Sequence, residues 1–523
     1  MAAVSAYSDY RRLWHAARIL SRNDALFPRE YEALLPPSAR LLRRLLGAGR
    51  ARHDASPGVR LARALESLGP AYIKLGQVLA TRPDIVGDDV AHALEQLQDR
   101  LPPFPTAEAR KVIEQALGKP IDALYSALSE PIAAASIAQV HDGLTADETP
   151  VRVAVKVLRP NIAAIFGRDL AAFARAAWLA ERWSVEARRL RPRAVVEMLA
   201  VSMALELDLR MEGAGASELA ETTRQDADFR VPHIDWNRTS DQVLTSEWID
   251  GICVRDREAL VAAGHDPRRI AVLVVRSFLN QALRDGFFHA DMHPGNLFVD
   301  AQGRLVAVDF GIMGRLDSEM RRFMAETLAG FLARDYRRVA RVHFDVAFVP
   351  PQHDIDTFAQ ALRAIGEPIF GRPVKDVSMA RLLAQLFDTT RRFDMQAQPQ
   401  LMLLQKTMMV VEGVARGLDP DFDMWEASRP VVEKWMLEHM GPEGRLRDAA
   451  EGMSALGRVA QNLPQLLRNA EIISAMLADG GVRLHPESVA LIAAAQAARS
   501  RHVRVAIWIA AGALGVIALV PFI

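Results

Sequence analysis

Two carboxylates and an amide near the middle of the chain have the spacing that phosphoryl transfer requires. Asp291 and Asn296 are five positions apart across a Pro-Gly turn, and Asp309 opens an Asp-Phe-Gly tripeptide downstream. Phosphoryl transfer needs a group that orients the nucleophile, and Mg²⁺ needs hard oxygen ligands. We therefore predict that Asp291 is catalytic and that Asn296 and Asp309 bind Mg²⁺. Asp-Phe-Gly alone would be a chance match, but a loop at kinase spacing just upstream argues against chance.

A lysine in an apolar strand pattern is the second signal. Lys156 lies in the predicted strand 151–158, an arrangement that presents an ammonium group to nucleotide phosphates, although many edge strands also carry a lysine. Such a lysine needs an acidic partner on a helix, and the candidates are Glu206, Asp208 and Glu212. In one continuous helix Asp208 and Glu212 would share a face and Glu206 would point elsewhere, which suggests two cationic partners. An ordinary exposed helix is the alternative.

Two parts of a typical protein kinase are missing. The loop that covers the phosphates is usually rich in glycine, but here it reads Ala133-Ala134-Ala135-Ser136. Because alanine has fewer backbone conformations than glycine, we predict a stiffer loop that holds phosphate differently. After Gly311 the chain runs directly into a helix start, which Asp317 or Ser318 would cap. No room remains for the long activation loop on which kinases bind peptides.

The predicted elements that position these groups follow the order of a bilobal kinase fold. Apolar periodicity predicts helices over 60–130 and 162–219, and from about residue 267 onwards. Strand-like segments are predicted at 137–140, 151–158, 229–234 and 242–248. Within 286–311, a short hairpin turning at Gly303 would bring Asn296 close to Asp309.

Composition excludes some classes of protein. The chain has 64 basic and 64 acidic side chains, so it creates no overall field for nucleic acid, and we expect no nucleic-acid partner. Cys253 is the only cysteine, which rules out an intramolecular disulfide and a zinc site built on several cysteines. This composition is consistent with a reducing, cytoplasmic setting.

The two ends of the sequence suggest contact with a membrane. Residues 505–523 carry no charged side chain, and as a helix they would span roughly 28 Å, close to the hydrocarbon thickness of a bilayer. We predict one transmembrane helix there, with a buried core helix as the alternative. The basic side chains before it would keep its start in the cytoplasm: Arg499, Arg501, His502 and Arg504. The basic region 1–60 is either a solvated face or a surface for anionic lipid headgroups.

The motif that decides the family is Lys74-Leu75-Gly76-Gln77. Together with the loops above, it makes the chain similar to the UbiB family, the atypical protein-kinase-like proteins that support ubiquinone synthesis. In that family the segment packs over the mouth of the active site, where a peptide would otherwise lie. The resemblance therefore implies that Lys74, Gly76 and Gln77 form a regulatory motif.

The acidic stretch also matches this family, with Glu206-x-Asp208 and Glu212 at the positions of its acidic motif. The resemblance implies that one of these acids holds Lys74 near the site and that another pairs with Lys156. It favours Glu212 as the partner of Lys156, beside the bound nucleotide. Glu206 and Asp208 then belong with the regulatory motif.

The resemblance and the element order predict an α+β, bilobal protein-kinase-like fold with a helical N-terminal extension and a C-terminal transmembrane helix. The expected parts are an extension over 1–120, a kinase-like domain over 121–440, a helical linker over 441–504 and the span over 505–523. The N-lobe would cover about 121–250 and the C-lobe about 251–440.

The resemblance also implies a function. The chain would bind ATP or ADP with Mg²⁺ and support the synthesis of ubiquinone, by ATP-driven action on lipid intermediates or on the biosynthetic complex. Membrane lipids and quinone precursors are the implied partners, together with other proteins of ubiquinone biosynthesis. The implied location is the bacterial inner membrane, with a single C-terminal span and the kinase-like domain facing the cytoplasm.

Two other functions fit parts of the sequence. A small-molecule phosphotransferase of the aminoglycoside or choline kinase type has a similar catalytic loop and lacks a long activation loop. The Lys-x-Gly-Gln extension, the alanine-rich loop and the apolar tail argue against it. A non-catalytic membrane scaffold would not need the metal and phosphate ligands that are all present. The phosphate acceptor stays open, and ATP hydrolysis without an acceptor is one alternative.

Overall fold

A computed structural model describes residues 2–25, 55–80, 86–95, 97, 101–183, 191–370, 389, 392–395 and 399–440. The chain divides into two units, Met1–Met436 and Leu437–Ile523, and only 437–440 of the second unit are described. The predicted linker 441–504 and the predicted span 505–523 therefore lie outside the described residues. Within the described ranges, no helix is both long enough and apolar enough to cross a membrane.

The described part of the N-terminal extension is helical, as predicted. Its helices are α1 (Ala2–Arg22), α2 (Pro57–Leu68), α3 (Pro70–Ala80) and α4 (Asp88–Glu95). Helix α2 begins where the Ser56 hydroxyl accepts a hydrogen bond from the Val59 amide at 3.4 Å. It ends at Gly69, whose φ of +104° favours glycine, and Pro70 then starts α3. The helix that carries the Lys-x-Gly-Gln motif is thus defined at its start by a Gly-Pro pair.

A four-stranded antiparallel sheet follows, in the order β1-β2-β3-β5. The elements of this part of the chain are α5 (Thr106–Leu117), α6 (Ile121–Leu124), β1 (Tyr125–Ala134), β2 (Ala138–Thr145), β3 (Arg152–Leu158), α7 (Ile162–Trp183), α8 (Pro192–Glu206), α9 (Leu209–Thr222), β4 (Phe229–Arg230) and β5 (Val243–Glu247). The predicted hairpin of β2 and β3 is confirmed, with Val140 opposite Lys156. Apolar residues of α5 pack onto β3, which fixes the strand that carries this lysine.

The first strand was predicted as helix, and that prediction is wrong. Tyr125 and Leu128 are both buried, three positions apart, as they would be in a helix. The pairing of β1 with β2 shifts register between Tyr125 and Ala127, and again around Pro131. These irregularities disrupt the alternation by which a strand is usually recognised. Pro131 is tolerated because β1 is an edge strand of its sheet.

The predicted helical stretch 162–219 is divided into α7, α8 and α9. Helix α8 ends at Glu206. Asp208 has an extended backbone, with φ −118° and ψ 94°, and its carboxylate caps α9 by accepting from the Arg210 amide at 3.1 Å. The predicted common helical face of Asp208 and Glu212 is therefore wrong, because Asp208 lies outside the helix that carries Glu212.

The remaining described elements form the C-terminal lobe. They are β6 (Gly251–Cys253), α10 (Arg257–Ala262), α11 (Pro267–Leu279) with a π-helical turn (Asn280–Asp285), β7 (Phe287–His289), β8 (Leu297–Asp300), β9 (Leu305–Ala307), β10 (Met313–Arg315), α12 (Ser318–Leu332), α13 (Tyr336–Asp345), α14 (Ile355–Phe370), α15 (Pro399–Leu418) and α16 (Met424–Met440). Strands β4, β9, β8 and β6 form one sheet in that order, and β7 pairs with β10. The predicted hairpin of β8 and β9 is confirmed, while β6 and β10 are too short to show a sequence pattern. Asp317 caps α12 by accepting from the Met320 amide at 2.8 Å.

Candidate active site

The hairpin of β8 and β9 brings the residues around the catalytic loop together. Leu297 is paired with Ala307, so Asn296 and Asp309 lie at the same end of the hairpin. The Val308 amide donates to the Asn296 carbonyl at 2.9 Å, which places the residue before Asp309 directly opposite Asn296. The Asn296 amide group in turn donates to the Asp291 carbonyl oxygen at 3.1 Å and lies 3.4 Å from Asp291 Oδ2.

Lys156 joins this end of the hairpin to the N-terminal lobe. Its Nζ donates to both carboxylate oxygens of Glu212, at 2.8 and 2.9 Å, and to Asp309 Oδ1 at 3.1 Å. Of the three candidate acids, Glu212 is the one that contacts Lys156. Asp208 instead pairs with Arg210 at 2.7 Å. The first turn of α9 therefore anchors the lysine beside Asp309.

These three ionisable groups perturb one another. Burial alone would lower the pKa of Lys156, but the negative charges of Asp309 and Glu212 outweigh burial and raise it. Burial raises the pKa of Glu212 to about 7, although the charge of Lys156 opposes the rise. The charge of Lys156 lowers the pKa of Asp309 to about 2. Asp309 therefore stays ionised at neutral pH and is suited to a metal ion.

Asp309 is held in an unusual backbone conformation. Its φ is +63°, in the left-handed region that residues with a Cβ rarely adopt, and such strain is often found at functional sites. Helix α9 passes close to the same segment at Gly215, where a Cβ would lie 3.7 Å from the Phe310 carbonyl oxygen and 3.1 Å from Met313 Cγ. The small residue lets the helix that carries Glu212 approach the Asp-Phe-Gly segment.

His289 supports the site, and the sequence reasoning assigned it no role. Its Nδ1 accepts from the Asp291 amide at 3.1 Å, and its Nε2 donates to the Val308 carbonyl at 3.2 Å. Burial lowers the pKa of His289, so the neutral ring with its proton on Nε2 fits both bonds. The ring also meets Phe310 edge-on at 5.4 Å. The signal that could have revealed this role is its position two residues before Asp291.

The Lys-x-Gly-Gln motif lies on α3. Lys74 Nζ is 2.6 Å from Glu206 Oε2, with only 12% and 17% of the two side chains exposed. A Cβ on Gly76 would overlap the Leu97 side chain, so glycine is needed where α3 packs against its neighbours. Gln77 is partly buried. The structure therefore brings Lys74 and Glu206 together at the end of α8, just before α9, the helix whose Glu212 contacts Lys156.

The alanine-rich loop is fixed by an arginine. Ala133 and Ala134 end β1, and Arg159 donates to the Ala135 carbonyl through Nη2 at 2.8 Å and Nε at 3.2 Å. The Ser136 side chain is fully buried, and its hydroxyl has no hydrogen-bond partner among the described residues. A buried hydroxyl without a partner is costly.

Comparisons with known proteins identify the family of the chain. Residues 96–343 match the ABC1 atypical kinase-like domain, and residues 362–423 match the UbiB helical domain. The chain is 43% identical over 420 residues to the "Probable protein kinase UbiB" of Marinobacter nauticus, covering 79% of this chain and 76% of that protein. A solved structure, the complex of Rv3197 with erythromycin from Mycobacterium tuberculosis, has a TM-score of 0.50 at 22% identity and shares the fold. It covers 78% of this chain and 98% of that one.

The α+β fold and the match to the ABC1 kinase-like domain identify a kinase-like enzyme. The chain belongs to the UbiB family of ABC1 atypical kinase-like proteins. Residues 362–423 lie in the stretch predicted as helical, but no sequence motif separated them as a helical domain from the predicted C-lobe of about 251–440.

Proposed function

We propose that the chain binds ATP or ADP with Mg²⁺ and acts as an ATPase or phosphotransferase in ubiquinone biosynthesis at the membrane. The observation that carries this proposal is the contact of Lys156 with both Glu212 and Asp309, beside the loop that holds Asp291 and Asn296. A cation, a metal-binding carboxylate and a carboxylate for the nucleophile are the groups that phosphoryl transfer uses.

Each residue has a proposed role. Lys156 contacts the nucleotide phosphates, and Glu212 keeps the lysine in position. Asn296 supplies an amide oxygen and Asp309 a carboxylate for Mg²⁺, which would neutralise phosphate charge when bound. Among the described residues no group of three acidic, His or Cys side chains is placed to hold a metal ion. Mg²⁺ in nucleotide sites usually keeps water molecules and binds substrate phosphates beside one or two carboxylates. Asp291 orients the nucleophile.

The alanine-rich loop is proposed to cover the phosphates. It comprises Ala133, Ala134, Ala135 and Ser136, and the bonds from Arg159 restrict its movement. The buried hydroxyl of Ser136 is the group that could donate to a phosphate oxygen. Such a loop would hold phosphate in one fixed arrangement because it cannot rearrange freely.

The role in ubiquinone synthesis is supported by the similarity to the Marinobacter protein, which is named as a UbiB kinase. Membrane lipids, quinone precursors and other proteins of this pathway are the proposed partners, and the inner membrane is the proposed location. The contact of Lys74 with Glu206 supports a role for these two residues in regulating the site. The family resemblance extends this proposed regulatory motif to Gly76, Gln77 and Asp208. The same extension disfavours the small-molecule phosphotransferase as an alternative.

The proposal is tested by lipid analysis of a deletion strain that carries either the wild-type gene or the Asp309→Asn variant. The wild-type gene should restore ubiquinone, and the variant should leave a polyprenylated quinone precursor to accumulate at the same protein level. Full ubiquinone synthesis with Asp309→Asn would show that the nucleotide site is not needed for the pathway.

A further inference from the structure

An arginine outside the recognised motifs is held over the catalytic loop. Arg255 follows β6, and two hydrogen bonds join the residues just before it to the catalytic loop and its end. The Cys253 thiol donates to the Pro294 carbonyl at 3.1 Å, and the Val254 amide donates to the Leu297 carbonyl at 2.9 Å. The position of Arg255 is therefore set by the backbone of the protein and not only by a flexible side chain.

The guanidinium group lies beside His293, and His293 in turn lies next to the candidate catalytic carboxylate. Arg255 Nη2 is 2.7 Å from the point that a Cβ on Gly295 would occupy, and His293 Cε1 is 2.9 Å from the same point. On its other side, His293 Nε2 is 3.8 Å from Asp291 Oδ2. Because residue 295 has no side chain, the guanidinium and imidazole groups can share the surface next to Asp291.

Both basic groups are accessible. Arg255 is exposed and forms no hydrogen bond or ion pair with any residue that the structure describes. The His293 side chain is 44% exposed, and its Nδ1 accepts from the Gly295 amide at 3.0 Å. In the neutral ring the proton is then on Nε2, on the side that faces Asp291. The Arg255 guanidinium group therefore has no hydrogen-bond acceptor among the described residues, and His293 Nε2 lies 3.8 Å from Asp291 Oδ2, beyond hydrogen-bond distance.

We propose that Arg255 and His293 form an anion-binding subsite for the molecule on which the enzyme acts. This molecule would carry a carboxylate or phosphate group close to the atom that approaches Asp291. Arginine suits this role because its planar group of donors matches both anions. The inference rests on the proposed function, since Asp291 marks the side of the site at which the second substrate enters. The same chemistry could also come from the terminal phosphate of the nucleotide.

The experiment uses the full-length protein saturated with Mg-ADP and titrated with phenyl phosphate or benzoate, with benzyl alcohol as the uncharged control. Binding is followed as thermal stabilisation. Wild type should be stabilised by at least one anion and not by the alcohol. Arg255→Gln should weaken the anion roughly tenfold, as expected for one charge-assisted contact, while Arg255→Lys keeps part of the affinity. Arg341→Gln, at an exposed position on α13, is the matched control and should behave as wild type.

Three results would contradict the proposed anion-binding subsite. One is equal anion affinity in wild type and Arg255→Gln, and another is the absence of anion binding by wild type. The third is a loss of Mg-ADP or Mg-ATP affinity in Arg255→Gln that is as large as the loss of anion affinity. That result would show that the arginine binds the nucleotide. Failure of the proposed function is distinguishable, because Mg-nucleotide would then fail to stabilise the wild type before any anion is added.

Discussion

Lys156 is shared between two carboxylates that differ in their surroundings. The Glu212 side chain is 9% exposed, whereas the Asp309 side chain is 49% exposed. One ammonium group faces two acids, so the cluster carries one excess negative charge when all three groups are ionised. Glu212 thus holds the lysine from the protein side, and Asp309 faces the open site, where a metal ion would supply the missing positive charge.

The first prediction separates metal binding from chemistry. Asp309→Asn should abolish the Mg-dependent thermal stabilisation by nucleotide, because a neutral amide is a much poorer ligand than a carboxylate. Asp291→Asn should keep that stabilisation and lower ATP turnover by about 10²-fold or more, because its proposed role is to orient the nucleophile. Unchanged stabilisation in Asp309→Asn would remove the kinase-like interpretation of this site.

The second prediction concerns pH. The pKa of Glu212 is raised from 4.5 to about 7, so the folded state binds this proton more tightly than the unfolded state. The stability that protonated Glu212 contributes is then fully present below pH 4.5 and is lost as pH rises through 7. Over this range the free energy of unfolding falls by at most about 1.4 kcal/mol per pH unit. In EDTA, the stability advantage of wild type over Glu212→Gln should therefore shrink between pH 5 and 8.

A matched control for that measurement is Asp208→Asn. Arg210 lowers the pKa of Asp208 below 3.8, so this acid is ionised throughout pH 5–8. The difference in stability between wild type and Asp208→Asn should accordingly stay constant. A constant difference for Glu212→Gln as well would contradict the raised pKa of Glu212.

The sequence predicts correctly that certain side chains lie close together where short local structures fix their spacing. Asp291, Asn296 and Asp309 could be recognised because a short loop and a hairpin fix their relative positions. The partner of Lys156 could not be chosen from the residues alone, because the choice depends on where α8 ends and α9 begins. Arg255 carried no signal, since its position depends on two bonds between distant parts of the chain.

At the scale of elements, the junction of α8 and α9 links the extension to the site. Helix α8 ends at Glu206, which contacts Lys74 of α3, and α9 carries Glu212, which contacts Lys156. Asp208 caps α9 between them. A shift of α3 would therefore act on the segment that fixes the orientation of α9. The sequence suggested two acidic faces on one helix. In the structure the two acids lie on two helices, because the helix is interrupted between Glu206 and Leu209.

The third prediction tests how tightly α3 is packed. Gly76→Ala should lower the free energy of unfolding by about 1–3 kcal/mol, because the added Cβ would overlap Leu97 and lie 2.9 Å from Leu65 Cδ1. Gly167→Ala in α7 is the matched control, because nothing lies within 4 Å of its added Cβ. This control should be neutral or should stabilise by up to about 1 kcal/mol. Equal effects of the two variants in thermal unfolding would show that α3 is loosely packed.

At the scale of the whole molecule, helices α15 and α16 contact the backbone on either side of β7, just before the catalytic loop. The Thr407 hydroxyl of α15 donates to the Ala290 carbonyl at 3.1 Å, next to Asp291. The Trp435 indole of α16 donates to the Leu283 carbonyl at 2.9 Å, in the turn before β7. The order of strands and helices predicted the kinase-like fold, but these contacts join residues more than a hundred positions apart. No local pattern could have indicated them.

The last prediction concerns the end of the chain, residues 505–523, which lie outside the described residues. Deleting them should move the protein substantially from the membrane fraction to the soluble fraction while Mg-nucleotide stabilisation is kept. Leu514→Arg retains the length of this segment and should also move protein to the soluble fraction, but less of it than the deletion does. The reason is that a central arginine costs about 2.5–3.5 kcal/mol when the helix inserts into the membrane. Leu514→Phe is the matched apolar control and should leave the protein in the membrane fraction.

A salt wash distinguishes a span from surface attraction. Contacts between basic residues and anionic headgroups contribute about 1 kcal/mol each and are screened by salt, whereas a spanning helix is not released by salt. Membranes carrying wild type should therefore retain the protein in high salt. Full retention of the deletion variant after the same wash would contradict the prediction of a single C-terminal span, because other parts of the chain would then suffice to hold the protein at the membrane.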